Sequence, residues 1–412
     1  MRILWSVNTI MPQVASKIGV NSAHAISWVD AMSKLLAKDE SVKLAIASDA
    51  SIKEVKCFDV DGIVFYVLPK DNLEKAWNQV VNEFKPDVIH QYGTERRHNV
   101  PLIKNFGMKL PYLISLQGIL KGYERAYYAG IDVSTILRNL TLKDLIRGSI
   151  IRDRRRFQKN AKFEAWQLNS VAHVEGRSTW DKVYALSINP NLQYHYCPRL
   201  IREPFYRIKW DIKKMEPHSI FVHQGNYPIK GLHFVFEALA SLIPKYPDIK
   251  LYIAGQDELH KHTLKEKLLR SGYSKYLLSL YHKYHIENNV HFLGKMTAEE
   301  VALQLSKANV MVIPSAIENC PNSLAEAMLV GTPSVASYVG GNAELLNDGD
   351  CGKLYCFNEP LMLADCIDQF FSSKDLAIHY SEISIKVSSE RHDPQRLKST
   401  LLEIYNNVIE NK

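Results

Sequence analysis

Cysteine is scarce in this 412-residue chain: there are six, at positions 57, 197, 320, 351, 356 and 366, with no Cys-x-x-Cys pair. That excludes a disulfide scaffold, a zinc ribbon and thioredoxin-type chemistry, and fits reduced thiols in a cytosol. Long apolar runs are also missing. VMVIP at 310–314 has the length of a strand, far short of the ~20 residues that span a bilayer. The opening MRILWSVNTIMPQ lacks the extended apolar stretch and small-residue cleavage site of a secretion signal, so it reads as a core strand from Ile3 to Val7 running into a loop. No GxGxxG, GxxxxGK[ST] or HExxH occurs, which removes support for dinucleotide oxidoreductases, P-loop enzymes and zincins. There is no internal repeat and no low-complexity tract.

What is present has globular composition, 46% apolar and 23% charged. A chain of this length exceeds one ordinary hydrophobic core, so two domains are expected. The net charge of +7 is uneven: residues 1–200 hold 28 Lys/Arg against 19 Asp/Glu, and the remainder 23 against 25. Within 138–162, nine basic residues (Arg138, Lys143, Arg147, Arg152, Arg154, Arg155, Arg156, Lys159, Lys162) face only Asp144 and Asp153. Such a cluster is a candidate surface for phosphate or anionic lipid, the alternative being a solvated basic helix face. Nothing calls for nucleic acid.

Short β-rich runs alternate with helical periods. Ile3 to Val7 is followed by a helix over Ala23–Lys38, then strand-like VKLAIAS (42–48) and GIVFYVLP (62–69), a helix over 73–84, and the runs DVIHQY (87–92) and PYLISLQG (111–118). Strands separated by helices argue for βαβ units and a mostly parallel sheet. Residues 119–168 read as helical and basic, HVEG (173–176) as a short strand, and the Pro- and aromatic-rich 189–206 as an irregular connector holding the domain boundary. The alternation restarts with SIFVHQG (219–225), a helix over 233–244, strands at 249–256, 289–295 and 310–315, a helix over 323–331 and a strand at 333–337; a final helix covers 395–410. The fold class is therefore α/β, with two doubly wound domains facing each other and a ligand site at the carboxyl ends of their strands. Asp59-Val-Asp61 has the form of an Asp-x-Asp metal motif, but Asp61-Gly62 reads as a hairpin turn.

The segment IPSAIENCPNSLAEAMLVGTPSVASYVGG (313–341) reads strand, loop, helix, Gly turn, strand, Gly-Gly turn. Glu318 lies in the loop and Glu326 one turn inside the helix. Between them the helix start offers N–H groups at Asn322, Ser323 and Leu324 to an anion. Carboxylates flanking a phosphate cradle suit a nucleotide sugar, whose hydroxyls want acceptors and whose diphosphate wants donors. Taken singly, Glu326 is as easily a dipole partner of its own helix and Glu318 a surface acid.

The string, with HQGNYPIKGLHFVFEAL (223–239) and NNVHFLGKMTAEEVALQLSKANVMVIPS (288–315), resembles the donor half of GT-B fold glycosyltransferases, the retaining family 4 in particular. It covers 219–355 well and the N-terminal half only in outline. The resemblance implies two Rossmann-like domains across a cleft: an acceptor-binding domain over 1–205, with the helix 392–412 packing back on it, and a donor-binding domain over 206–391. It implies transfer from a nucleotide-diphosphate sugar to a hydroxyl of a glycan or lipid-linked saccharide, with retention and no metal or other cofactor, in surface polysaccharide assembly. Carried over by position, Lys230 would neutralise the diphosphate, Glu318 touch the donor sugar and Glu326 accept from the ribose. Asn319, Cys320, Pro321, Asn322, Ser323 and Leu324 would bind sugar and diphosphate through the backbone, beside the Gly225-Asn226 turn. Leu293, Gly294 and Lys295 would frame the base, and Gly19 would let backbone approach the diphosphate.

Three departures stand out. Asn226 takes the place of a usual Arg, and Arg177 in EGRSTWD is the expected substitute cation. Gln117-Gly118 replaces a common His-Gly; a glutamine hydrogen-bonds a sugar but is neither acid nor base. Asn-Cys-Pro-Asn follows Glu318 in place of Gly-Phe-Gly, which retunes the sugar pocket. His90, Glu95 and His98, in HQYGTERRHN at a strand's carboxyl end, are the expected acceptor contacts. The basic 138–162 stretch would rest on the anionic inner face of a membrane, the enzyme being otherwise cytoplasmic. A rival reading is a catalytically silent nucleotide- or glycan-binding protein of the same fold.

Overall fold

A computed structural model of the chain describes residues 1–20, 27–261 and 263–411. They form two compact units, one made of Met1–Ile119, Asn160–Leu200 and His392–Lys412, the other of Leu120–Lys159 and Ile201–Arg391.

Unit 1 holds an eight-stranded sheet of β1 (Arg2–Ser6), β2 (Lys43–Ala50), β3 (Lys56–Val60), β4 (Ile63–Pro69), β5 (Val88–Tyr92), β6 (Tyr112–Ser115), β7 (His173–Gly176) and β8 (Gln193–Tyr196). Their order is β3-β4-β2-β1-β5-β6-β7-β8. Every pairing is parallel except the β3–β4 hairpin. At its tip Asp61 and Gly62 have φ of 53° and 76°, the left-handed pair of a tight hairpin turn, so Asp61 serves the turn while Asp59 lies in β3 opposite Val64. After the short helix Pro12–Ala15, the first long helix is Ser27–Ala37; Ala23 to Ile26 of the expected helix lie outside the described residues. The helix Leu73–Phe84 buries Ala76, Trp77, Val80, Val81 and Phe84 at helical spacing. The final helix, Pro394–Glu410, buries Leu397, Leu401, Ile404, Tyr405 and Val408. It is tied to β1 by a hydrogen bond of 2.8 Å from Trp5 Nε1 to Tyr405 Oη.

Two sequence expectations are corrected here. The 189–206 stretch contains β8, an edge strand whose residues are half-buried or exposed; with one partner and no buried face it shows no apolar alternation to read. Residues 120–159 group with unit 2 rather than with the first domain. Ile131 and Ile136 sit in the unit 2 core. His233 Nε2 donates to Ala129 O at 2.9 Å, and Gly130 leaves room for the Phe234 ring.

Unit 2 has a six-stranded sheet of β9 (Ser219–Val222), β10 (Lys250–Ala254), β11 (Val290–Gly294), β12 (Val310–Ile313), β13 (Ser334–Ser337) and β14 (Lys353–Tyr355). The order is β11-β10-β9-β12-β13-β14 and all pairs are parallel. The four residues of each of β9, β12 and β13 are all buried, because a parallel sheet is covered on both faces; this is why those strands read as unbroken apolar runs. The chain leaves β9 toward β10 and β11, then returns to build β12, β13 and β14 on the other side. The order reverses between β9 and β12, and a crevice opens there at the carboxyl ends of the two strands.

Candidate functional site

The crevice of unit 2 is lined by Val222, His223, Lys230, Ser315, Glu318 and Ser323, among others. Lys230 reaches it from a single 3-10 turn, Pro228–Lys230, closed by Gly231 at φ 69°. A Cβ on Gly231 would stand 1.8 Å from Pro314 O, so only glycine lets this turn press against the end of β12. The Ala316 N–H donates to Ile229 O at 2.7 Å and ties the two loops together. As a result Lys230 Nζ lies 2.5 Å from Glu318 Oε1, which also accepts from Ser315 Oγ at 2.7 Å.

The Gly-Gly turn supports Glu318 from behind. Gly340 has φ 52°, and a Cβ there would fall 1.7 Å from Glu318 O; the Gly341 N–H donates to the same oxygen at 3.1 Å. Ser337 Oγ donates to Ser315 O at 2.6 Å, and Asn342 Nδ2 to Ser337 O at 3.0 Å. Burial disfavours the Lys230 ammonium, but Glu318 and then Tyr227 outweigh it, and the amine stays charged with its pKa raised.

Glu326 is buried in the helix Asn322–Val330, which begins after Pro321 with no side chain capping it and ends at Gly331. Its Oε1 accepts from Arg202 Nη2 at 2.7 Å and from Nε at 3.0 Å. Burial raises the Glu326 carboxyl, and Arg202 pulls it back. Arg202 was not among the residues expected from the sequence. It sits in the Pro-rich 189–206 segment, 124 positions from its partner, and its only local signal is a cation between two prolines. His223, at the end of β9, is pushed down to about 4 by burial, with Arg202 and Lys230 adding repulsion. It is therefore a neutral hydrogen-bonding group at pH 7. The crevice thus holds the Lys230–Glu318 pair beside a helix start, and the Arg202–Glu326 pair lies on the same helix one turn further in, close enough for Arg202 to act on His223. The arrangement is suited to a ligand carrying both phosphates and hydroxyls.

The remaining expected residues of unit 2 fall around this crevice or along the same strand ends. Asn319 and Leu324 are buried, Cys320 is half-buried, and Ser323 lines the crevice. Gly225 is buried, with Leu232 Cδ2 2.5 Å from where a Cβ would be, and Asn226 is exposed. Leu293, Gly294 and Lys295 lie at the end of β11, where Gly294 O accepts from the Gly255 N–H at 2.7 Å and Lys295 is exposed.

Gln117, Gly19, Arg177, His90, Glu95 and His98 belong to unit 1. Gly19 ends a 3-10 turn at φ 70°, with open space where a side chain would stand. Arg177 is buried and Nη2 donates to Gln117 O at 3.0 Å. Glu95 accepts from Asn8 Nδ2 at 3.0 Å, joining the ends of β1 and β5, the switch point of this sheet; burial raises its carboxyl. His98 is buried with Nε2 3.4 Å from Ser6 Oγ, and burial pushes it down to about 4. His90 has no exposed surface. Its Nδ1 is 2.8 Å from Tyr405 Oη and its Nε2 3.0 Å from Glu175 Oε2, while Glu175 Oε1 accepts from Arg199 Nη1 at 2.6 Å. This ring is part of a buried network, and the expectation that it contacts an acceptor is corrected.

Residues 203–387 match the family described as glycosyl transferases group 1. Spore coat protein SA of Bacillus subtilis (strain 168) is 22% identical over 386 residues, 92% of this chain and 93% of that protein. A D-inositol 3-phosphate glycosyltransferase of Corynebacterium urealyticum is 29% identical over 184 residues, 44% of this chain and 41% of that one. The solved structure of Anabaena HepE in complex with UDP-glucose is similar with a TM-score of 0.68 at 16% identity, over 99% of this chain and 100% of that one. Residues 203–387 thus carry the match to glycosyl transferases group 1, and the chain is a glycosyltransferase with the GT-B fold.

Proposed function

We propose that the enzyme moves a sugar from a nucleotide-diphosphate sugar to a hydroxyl of a glycan or lipid-linked saccharide, with retention and without a metal ion, in surface polysaccharide biosynthesis at the cytoplasmic side of a membrane. The observation that carries this reading is the Lys230–Glu318 pair in the crevice between β9 and β12, beside the start of the Asn322–Val330 helix, with the Arg202–Glu326 pair one turn further along that helix. The similarity to HepE, whose structure holds UDP-glucose, supports a nucleotide-sugar donor. Lys230 meets the diphosphate, Glu318 the sugar hydroxyls, Glu326 the ribose diol and residues 319–324 the sugar and diphosphate. Gly225 and Asn226 lie along the diphosphate, and Leu293, Gly294 and Lys295 frame the base.

The bond from the anomeric carbon to the diphosphate oxygen breaks while a bond to the acceptor oxygen forms on the same face. The acceptor proton passes to the departing diphosphate. Catalysis is then positioning plus stabilisation of the leaving group by Lys230.

The test is thermal unfolding against UDP, GDP, ADP, CMP and their sugars, with and without EDTA. One base is expected to raise the midpoint, by about 2.7 kcal/mol of stability at a hundredfold excess over Kd. The shift is unchanged by EDTA and lost in Glu326→Ala. Lys230→Ala keeps the fold and loses roughly a hundredfold or more in turnover. No shift with any nucleotide would overturn the donor site and leave the glycan-binding reading.

A further inference from the structure

Fifteen large apolar side chains are exposed among the described residues, and eight of them fall in two short stretches of unit 2, 133–146 and 264–269. They lie on three short helices. Val133–Arg138 turns Val133 and Leu137 outward, Leu142–Arg147 turns Leu142, Leu145 and Ile146 outward, and Leu264–Leu268 turns both its terminal leucines outward. An i, i+3, i+4 apolar stripe is the face a helix ordinarily buries. Here the stripe is the open face: Leu145, Ile146 and Leu264 are 73%, 68% and 76% exposed, while the Asp144 carboxylate turns inward as a capping box. The stretches are neighbours. Thr141 Oγ1 donates to Arg270 O at 2.8 Å, and Lys275 Nζ to Arg138 O at 3.3 Å.

The same face carries cations. Arg138, Arg147, Lys265 and Lys267 are exposed, and no ion pair among the described residues engages them. Further along, Arg154 pairs with Glu124 at 2.9 Å and Arg156 with Asp153 at 3.5 Å, and although Arg152, Arg155 and Lys159 are exposed, no exposed large apolar side chain lies among them. The acid at the centre of the second stretch, Glu266, is used in capping its own helix through Thr263.

We propose that this face, with Leu137, Leu142, Leu145, Ile146, Leu264 and Leu268 inserted and Arg138, Arg147, Lys265 and Lys267 around them, seats unit 2 in the headgroup layer of an anionic membrane. Exposed apolar side chains on adjoining short helices, interspersed with exposed cations in no ion pair, have the composition of an interfacial anchor. A second copy of the chain is a poor occupant, since a two-fold contact would set like charges against each other. The inference refines the lipid-side acceptor reading by moving the contact from 138–162 to 133–147 with 264–269; vesicle binding itself is separable from the donor chemistry.

The experiment is flotation of the full chain with phosphatidylcholine vesicles and with phosphatidylglycerol-rich vesicles, at low and high salt. The wild type is expected to float with the anionic vesicles, less so at high salt. Leu145→Asp with Ile146→Asp weakens binding about tenfold or more, and Arg147→Glu with Lys265→Glu removes the preference for anionic lipid. Leu361→Asp, at a leucine exposed on another helix, binds as the wild type does. The nucleotide-induced thermal shift, run on the same samples, is unchanged in Leu145→Asp/Ile146→Asp and reports that the fold and donor site are intact. No flotation at low salt, or equal flotation of wild type and Leu145→Asp/Ile146→Asp, overturns the proposal. So does a wild-type dimer that this variant dissociates without any vesicle binding.

Discussion

Glu326 is held by a guanidinium on one oxygen, Oε1, in a buried setting that by itself would favour the neutral acid. Arg202 therefore orients the carboxylate and opposes the rise that burial causes, which on the proposed reading favours accepting from a ribose diol over donating to it. Replacing Arg202 by Met leaves a buried carboxyl without its cation, a loss that is large when one partner of a buried pair is removed. The expected result is a nucleotide Kd raised roughly tenfold to a hundredfold in titration calorimetry. Binding by the variant should fall more steeply on acidification than wild-type binding does, because burial already raises the Glu326 carboxyl and the variant lacks the cation that pulls it back. Arg202→Lys restores part of the affinity. A pH-independent loss in Arg202→Met would reduce Arg202 to a packing residue. None of this pairing is legible in the sequence, whereas Glu318 and Glu326 are, because both sit in one string with the loop and helix that present them.

The strands and the Pro394–Glu410 helix show which elements a sequence declares. Strands buried on both faces are unbroken apolar runs, and the last helix has a clear apolar stripe. The helix Lys374–Arg391 has no such stripe, because serines 381, 384 and 388 face the interior. Ser384 Oγ donates to Cys351 O at 2.6 Å, and Ser388 Oγ to Ser384 O at 2.6 Å. Hydroxyls satisfied on backbone carbonyls occupy a buried face without an apolar signal. The final helix also carries a test. Tyr405→Phe leaves the buried Trp5 indole N–H and His90 Nδ1 without their shared partner, which costs about 1–3 kcal/mol. Denaturant unfolding measures it; a midpoint equal to wild type would mean that the Trp5–Tyr405–His90 network adds nothing to unit 1.

Across the whole molecule, stability is tied to histidines kept neutral. His98 in unit 1 and His233 in unit 2 are both pushed by burial from 6.5 to about 4. The unfolded chain binds their protons first as pH falls, so stability is full above about 6.5 and drains between there and 4. Each histidine removes about 1.4 kcal/mol per pH unit over that window. Urea unfolding from pH 7 to 4.5 is expected to show both units losing stability together with acid; flat curves down to pH 5 would contradict it.

The sequence by itself determined the α/β class, the strand-ending turns and the 313–341 string, since apolar period, glycine and helix signals are properties of neighbouring residues. Only the tertiary structure decided that Arg202 meets Glu326, that His90 is interior, that 120–159 packs with the second unit, and that three apolar stripes face outward. Those outcomes depend on which distant segment covers a face or approaches a charge, and the local pattern is the same whether or not that segment arrives.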